Sequence, residues 1–145
     1  MSSLTSRELN DIAILHLRDG DDELMYADGP DGEPDLTKPQ RIHLYGPGTK
    51  QQARANADRN NRFVDRLQRK GKSKLTADEA IKERAEFVAS ITKAFENIDS
   101  DAGAIDNDLY MEVYLNPRLS YIPEQAELFA RNTANFTKGS AKPSP

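Results

Sequence analysis

Between Arg41 and Lys74 the chain changes its period abruptly, and that change restricts the fold more than any other stretch. Ile42 and Leu44 alternate with His43 and Tyr45, the spacing of a strand with one buried face. Gly46-Pro47-Gly48 cannot extend the ladder, because proline lacks an N–H and glycine has no side chain to pack. Thr49 with Gln52 three residues later forms a capping box, so a helix is predicted from Lys50. It should run to about Lys70 and stop at Gly71, a residue suited to a left-handed helix end. A strand delivered through a tight turn into a long basic helix requires a fold that mixes sheet and helix.

The flanking sequence supplies the other elements. Ile12 to Arg18 reads as a first strand, with Ala13, Leu15 and Leu17 inward and His16 outward. Glu23 to Ala27 reads as a shorter second strand, and Asp28 to Pro34 is a breaker-rich turn. A small antiparallel sheet of two or three strands follows, with Leu15, Leu17, Ile42 and Leu44 on its apolar face. Such a sheet needs helices to cover it. In the basic helix the inward stripe is expected to be Ala53, Ala57, Asn60, Val64 and Leu67. Thr76 and Glu79 form a second capping box. The helix behind it carries Ile81, Ala85, Val88, Ile91, Phe95 and Ile98, with Phe87 off the stripe as a second contact face. A third helix is expected over Ala104 to Leu115 with Ile105, Leu109, Val113 and Tyr110 inward, ended by Asn116-Pro117. A fourth opens at Pro123 with Ala126, Phe129, Ala130 and Thr133 on one face. The expected organisation is therefore one α+β domain over 1–136. It has a flexible segment over 1–11, strands over 12–45, helices over 50–136 and a disordered tail over 137–145.

Composition narrows the function. The apolar fraction of 37% lies below the ~45–50% of ordinary domains, which points to a thin core or to surfaces completed by partners. No cysteine is present, so disulfides, thiolate metal sites and thiol nucleophiles are excluded. No apolar run is long enough to cross a bilayer, and a soluble, intracellular protein is expected. The net charge of −4 conceals segregation. The segment to Asp35 carries −8, Lys50 to Lys74 carries +7, and Leu75 to Phe136 carries −7. Blocks of opposite sign favour self-association, and they also allow the basic helix to be neutralised within the chain.

Chemical motifs are missing where catalysis would need them. The acidic turns at Asp19–Glu23 and Asp28–Glu33 lack the EF-hand order, since Leu24 stands where its glycine belongs. His16 and His43 on neighbouring strands supply too few ligands for zinc. Gly46-Pro47-Gly48-Thr49-Lys50 has neither the glycine spacing nor the lysine position of a phosphate loop. No nucleophile elbow or dinucleotide turn exists, so neither an enzyme nor a cofactor is expected. The bases Arg54, Arg59, Arg62, Arg66, Arg69, Lys70, Lys72 and Lys74 read first as partners of the chain's own acidic helices. Protein binding through Arg54, Arg62, Arg66, Arg69 and Phe87 comes next, and nucleic acid last.

The strand, the Leu44-Tyr45-Gly46-Pro47 turn and the Asn- and Arg-rich helix resemble small tailed-phage proteins of the tail assembly chaperone type. The matching residues are Ile42, Leu44, Tyr45, Gly46, Pro47, Arg62 and Leu67, and with Gly48 the first five define the fold motif. The acidic Asp21-Asp22-Glu23 stretch departs from the plainer hairpin of that pattern. The resemblance implies a non-catalytic factor in the host cytoplasm that binds the tape measure protein, keeps it soluble and recruits tail tube protein. The alternative is a virion structural protein: a minor capsid, decoration or tail component.

Overall fold

The structure is a computed structural model that describes residues 2–71 and 74–141. It shows an α+β fold. A short α1 (Ser2–Thr5) leads to β1 (Ile12–His16), β2 (Tyr26–Asp28), β3 (Pro34–Pro39) and β4 (Arg41–Tyr45). The rest comprises α2 (Lys50–Lys70), α3 (Ala77–Ser90), β5 (Thr92–Glu96), α4 (Asp106–Tyr114) and α5 (Tyr121–Arg131), with 3₁₀ turns at Pro117–Leu119, Thr133–Phe136 and Lys138–Ala141. Of the tail expected to be disordered, Lys138–Ala141 thus forms a turn, and 142–145 lie outside the described residues.

β4 is the centre of a three-stranded antiparallel sheet ordered β1-β4-β5. Ile42 and Leu44 are fully buried on it, and Ile42 pairs with Leu15 and Phe95 on either side. The sheet face they share joins Leu17, Val88, Ile91, Tyr114 and Ala126 in one core. Tyr114 shares a hydrogen bond with the Thr92 hydroxyl at 2.8 Å, which satisfies the phenol where burial pushes its pKa far up.

Two expectations about the sheet are corrected. Glu23 to Ala27, expected as the short second strand, does not join it. That segment shifts to β2 and pairs with β3 in a separate two-stranded hairpin, held against β1 by Met25 N–H donating to Leu17 O. The third strand is β5, which lies inside the expected second helix. α3 stops at Ser90 because the Ser90 and Thr92 hydroxyls turn back onto the carbonyls of Glu86 and Val88, and β-branched Ile91 and Thr92 favour extended backbone. Phe95 and Ile98 therefore pack on the core from a strand and its exit, not from a helix.

Smaller corrections have local causes. His16 is buried, not outward, because the β2–β3 hairpin folds over it. Its Nε2–H donates to Met25 O at 2.8 Å and its ring meets Tyr26 edge-on. Ile105 is 72% exposed because it occupies the N-cap of α4, outside the helix and four residues before Leu109, where the buried stripe of Leu109, Tyr110 and Val113 begins. α5 opens at Tyr121, so Pro123 is its third residue, still within the turn that needs no donor. Thr133 falls beyond its end in a 3₁₀ turn.

The turn after β4 is built as its residues demand. Gly48 adopts φ +87°, which glycine accepts without strain. Gly46 has a different reason: a Cβ there would sit 2.3 Å from the Phe136 ring, which is fully buried against it.

Candidate partner-binding surface

α2 has the predicted limits. The Thr49 hydroxyl accepts from Gln52 N–H, and Gly71 closes the helix in left-handed geometry with its N–H on Leu67 O. Its orientation is the reverse of the expected one. The residues turned toward the domain are Gln52, Ala55, Arg59, Arg62 and Arg66, at helical spacing, and of the helix only Ala55 is fully buried. Ala53, Ala57, Asn60, Val64 and Leu67 all face outward, with Val64 41% and Leu67 40% exposed. This helix turns Arg59, Arg62 and Arg66 inward and shows its apolar residues.

Carboxylates on α3 and α5 account for the inversion. Arg62 makes a two-pronged contact with Glu83, at 2.9 Å through Nε and 2.8 Å through Nη2, and its Nε also lies 3.2 Å from Glu86. Arg66 reaches Glu83 at 3.4 Å. Arg59 donates to both Glu127 oxygens at 3.2 and 3.1 Å and stacks 3.9 Å above the Phe87 ring. Glu127 also meets Arg131 and lies 3.6 Å from Arg84. Burial alone would raise the carboxyls of Glu83 and Glu127. The Arg62 hydrogen bond and neighbouring arginines overcome it at Glu83, and Arg59, Arg131 and Arg84 do so at Glu127, so both pKa values fall below 4.5. The same Glu83 bond raises Arg62. At the far end Lys70, with the Thr76 cap, holds the Glu79 carboxyl at about 2.

The predicted binding residues therefore scatter. Arg62 and Arg66 are consumed inside the domain, and Arg69 pairs with Asp65 one turn away at 3.1 Å. Phe87 is not an exposed second face: at 3% exposure it lies under Arg59. Of the five, Arg54 stays exposed without an ion pair among the described residues, as does Lys74 among the other bases, and Lys72 lies outside the described residues. Glu83, Glu86 and Glu127 were not singled out in sequence. The signal was present: acids at 79, 83 and 86 repeat at helical spacing, as arginines 59, 62 and 66 do.

The outward stripe has the geometry of a helix-docking seam. Positions 53, 57, 60, 64 and 67 are separated by four, three, four and three residues, the a/d alternation of a coiled coil, with Asn60 as the single polar member. Phe63, 39% exposed, flanks it. The helix is about 30 Å long, enough for such a contact. Elsewhere, His43 is tied to Glu96 at 3.0 Å, and no three metal-ligating side chains gather among the described residues. No helix among them is long and apolar enough to cross a membrane. The chain matches no known family model, no curated protein and no solved structure.

Proposed function

We propose that the protein is a non-catalytic phage tail assembly chaperone. In the host cytoplasm it holds a helical stretch of the tape measure protein against α2 and brings tail tube protein to it. The observation that carries this reading is the outward a/d stripe Ala53, Ala57, Asn60, Val64 and Leu67, left uncovered by the fold. A stripe at that spacing is satisfied by another helix, and a long helical protein offers such surface in quantity. The likeness of Ile42–Gly48 and of the basic helix to the tail chaperone pattern points to the same partner.

Co-expression with the tape measure and tail tube proteins of the same genome, followed by pull-down at low and high salt, tests it. The tape measure protein should be retained at high salt, because apolar contact survives screening. Val64→Asp or Leu67→Asp should abolish retention without lowering the melting midpoint, and the chain should be absent from finished particles. Stoichiometric presence in virions would favour the structural-protein reading. Binding to neither protein, with salt-sensitive binding to DNA, would defeat both.

A further inference from the structure

Beside the outward stripe, α2 stands off from α3 and α5 over an open groove of 610 Å³, within the ~300–1,000 Å³ of ligand sites. Phe63, Leu75, Ile81 and Pro123 give it apolar walls, and Arg59, Arg66 and Arg84 line it beside Glu83 and Glu127. The charges that line it do not balance: three arginines (59, 66 and 84) meet two carboxylates (83 and 127). The surplus sits where donors are under-used. Arg66 has its Nε–H buried with no acceptor, and Arg84, 45% exposed, lies 3.6 Å from Glu127, beyond a good hydrogen bond. The Arg84 guanidinium, exposed and only loosely held, is the donor that an incoming carboxylate can reach.

We propose that this groove binds an acidic amphipathic peptide segment, an Asp or Glu flanked by bulky apolar side chains. The apolar walls call for more than a small anion, because a lone phosphate would leave Phe63, Ile81 and Pro123 uncovered. Nucleic acid fits poorly, since a phosphate at every nucleotide would run past Glu83 and Glu127 in the same groove, whereas a single peptide carboxylate can sit at Arg84 alone. The C-terminal tail of this chain carries Lys138 and Lys142 and no acid, so it has the wrong sign. The proposal stands on the groove's own chemistry. A failure of the tape measure protein to bind would leave it intact.

Panning a display library of short random peptides on the full-length protein tests it. Enriched sequences should place Asp or Glu beside Leu, Ile or Phe, and the best synthetic peptide should give a saturable anisotropy change. Replacing its acid by the amide, or Arg84→Gln in the protein, should weaken binding about tenfold or more. Arg84→Gln should fold, because Glu127 keeps Arg59 and Arg131, and the peptide-side change needs no protein variant. Val64→Asp, on the outward stripe, should leave peptide affinity unchanged while removing the tape measure protein. Enrichment of neutral or basic sequences, no enrichment at all, or binding indifferent to both acid-to-amide and Arg84→Gln changes would overturn the proposal.

Discussion

Removing the charge of Glu83 tests whether α2 is held by its arginines. Its carboxylate is 12% exposed and lies within 2.8–3.5 Å of Arg59, Arg62 and Arg66, themselves 18–29% exposed. Breaking a buried ion pair from one side costs ~3–5 kcal/mol, because the remaining charges stay buried and uncompensated. Here Arg62 retains Glu86 and Arg59 retains Glu127, and only Arg66 is left with no carboxylate. Glu83→Gln should therefore cost about 2–3 kcal/mol, a fall of roughly 6–12 °C in the melting midpoint for a chain of this size. Leu67→Lys and Val64→Lys point into solvent and should stay within ~0.5 kcal/mol of wild type. Urea titrations with unchanged slope, run beside thermal melts, separate lost stability from altered unfolding. If Glu83→Gln is silent and Leu67→Lys costs more than ~2 kcal/mol, α2 is rotated with its apolar stripe inward. Both binding proposals would then fall together.

Three further outcomes follow from the geometry. Glu83 and Glu127 titrate below 4.5 when folded, so the unfolded chain binds protons more readily; their contribution is complete above pH 4.5 and is lost as pH falls below it. The melting midpoint should be flat from pH 7 to about 5 and fall steeply beneath, less steeply in Glu83→Gln; an identical slope in both would contradict the assignment. Gly46→Ala should cost about 2 kcal/mol by driving a methyl into the Phe136 ring, and Gly48→Ala about 1 through its φ of +87° alone, so equal tolerance in urea melts would count against the turn geometry. Val88→Asp, which buries an unpaired charge at a fully buried site, should leave no cooperative thermal transition at 25 °C or above.

What the sequence disclosed depended on how local each cause was. The limits of α2 and β4 were legible because Thr49, Gly46, Gly48 and Gly71 act within a few residues of themselves. The boundary between α3 and β5 was not. Ile91, Phe95 and Ile98 continue the spacing of Ile81, Ala85 and Val88, so helical period persists through a segment that β4 recruits as a strand. Only pairing with Leu44, His43, Ile42 and Arg41, some fifty residues earlier, distinguishes the two. The orientation of α2 was misread for another reason. Apolar residues were placed inward by rule, whereas its stripe is mostly alanine and asparagine and its opposite face carries three arginines matched to acids on α3 and α5. Phe87 was misplaced with it, since the side chain that buries it belongs to Arg59.

The inverted helix is also an energetic choice with functional weight. Turning α2 around would bury Val64 and Leu67, worth at most ~1.5–3 kcal/mol each, with little more from Ala53 and Ala57. It would also strand Glu83 in the domain without a counter-charge, at several kcal/mol, and leave Glu127 with only Arg84 and Arg131. The arginine face therefore wins, and not because ion pairs are strong. Charges at this depth yield modest net stability, but they penalise every other rotation of the helix and so fix its orientation. The consequence lies on the other side of the same helix. Val64 and Leu67 are held outward by what Arg62 and Arg66 require inward, so the exposed seam follows from the ion-pair register. A partner helix covering that seam would recover the apolar burial that the fold itself forgoes.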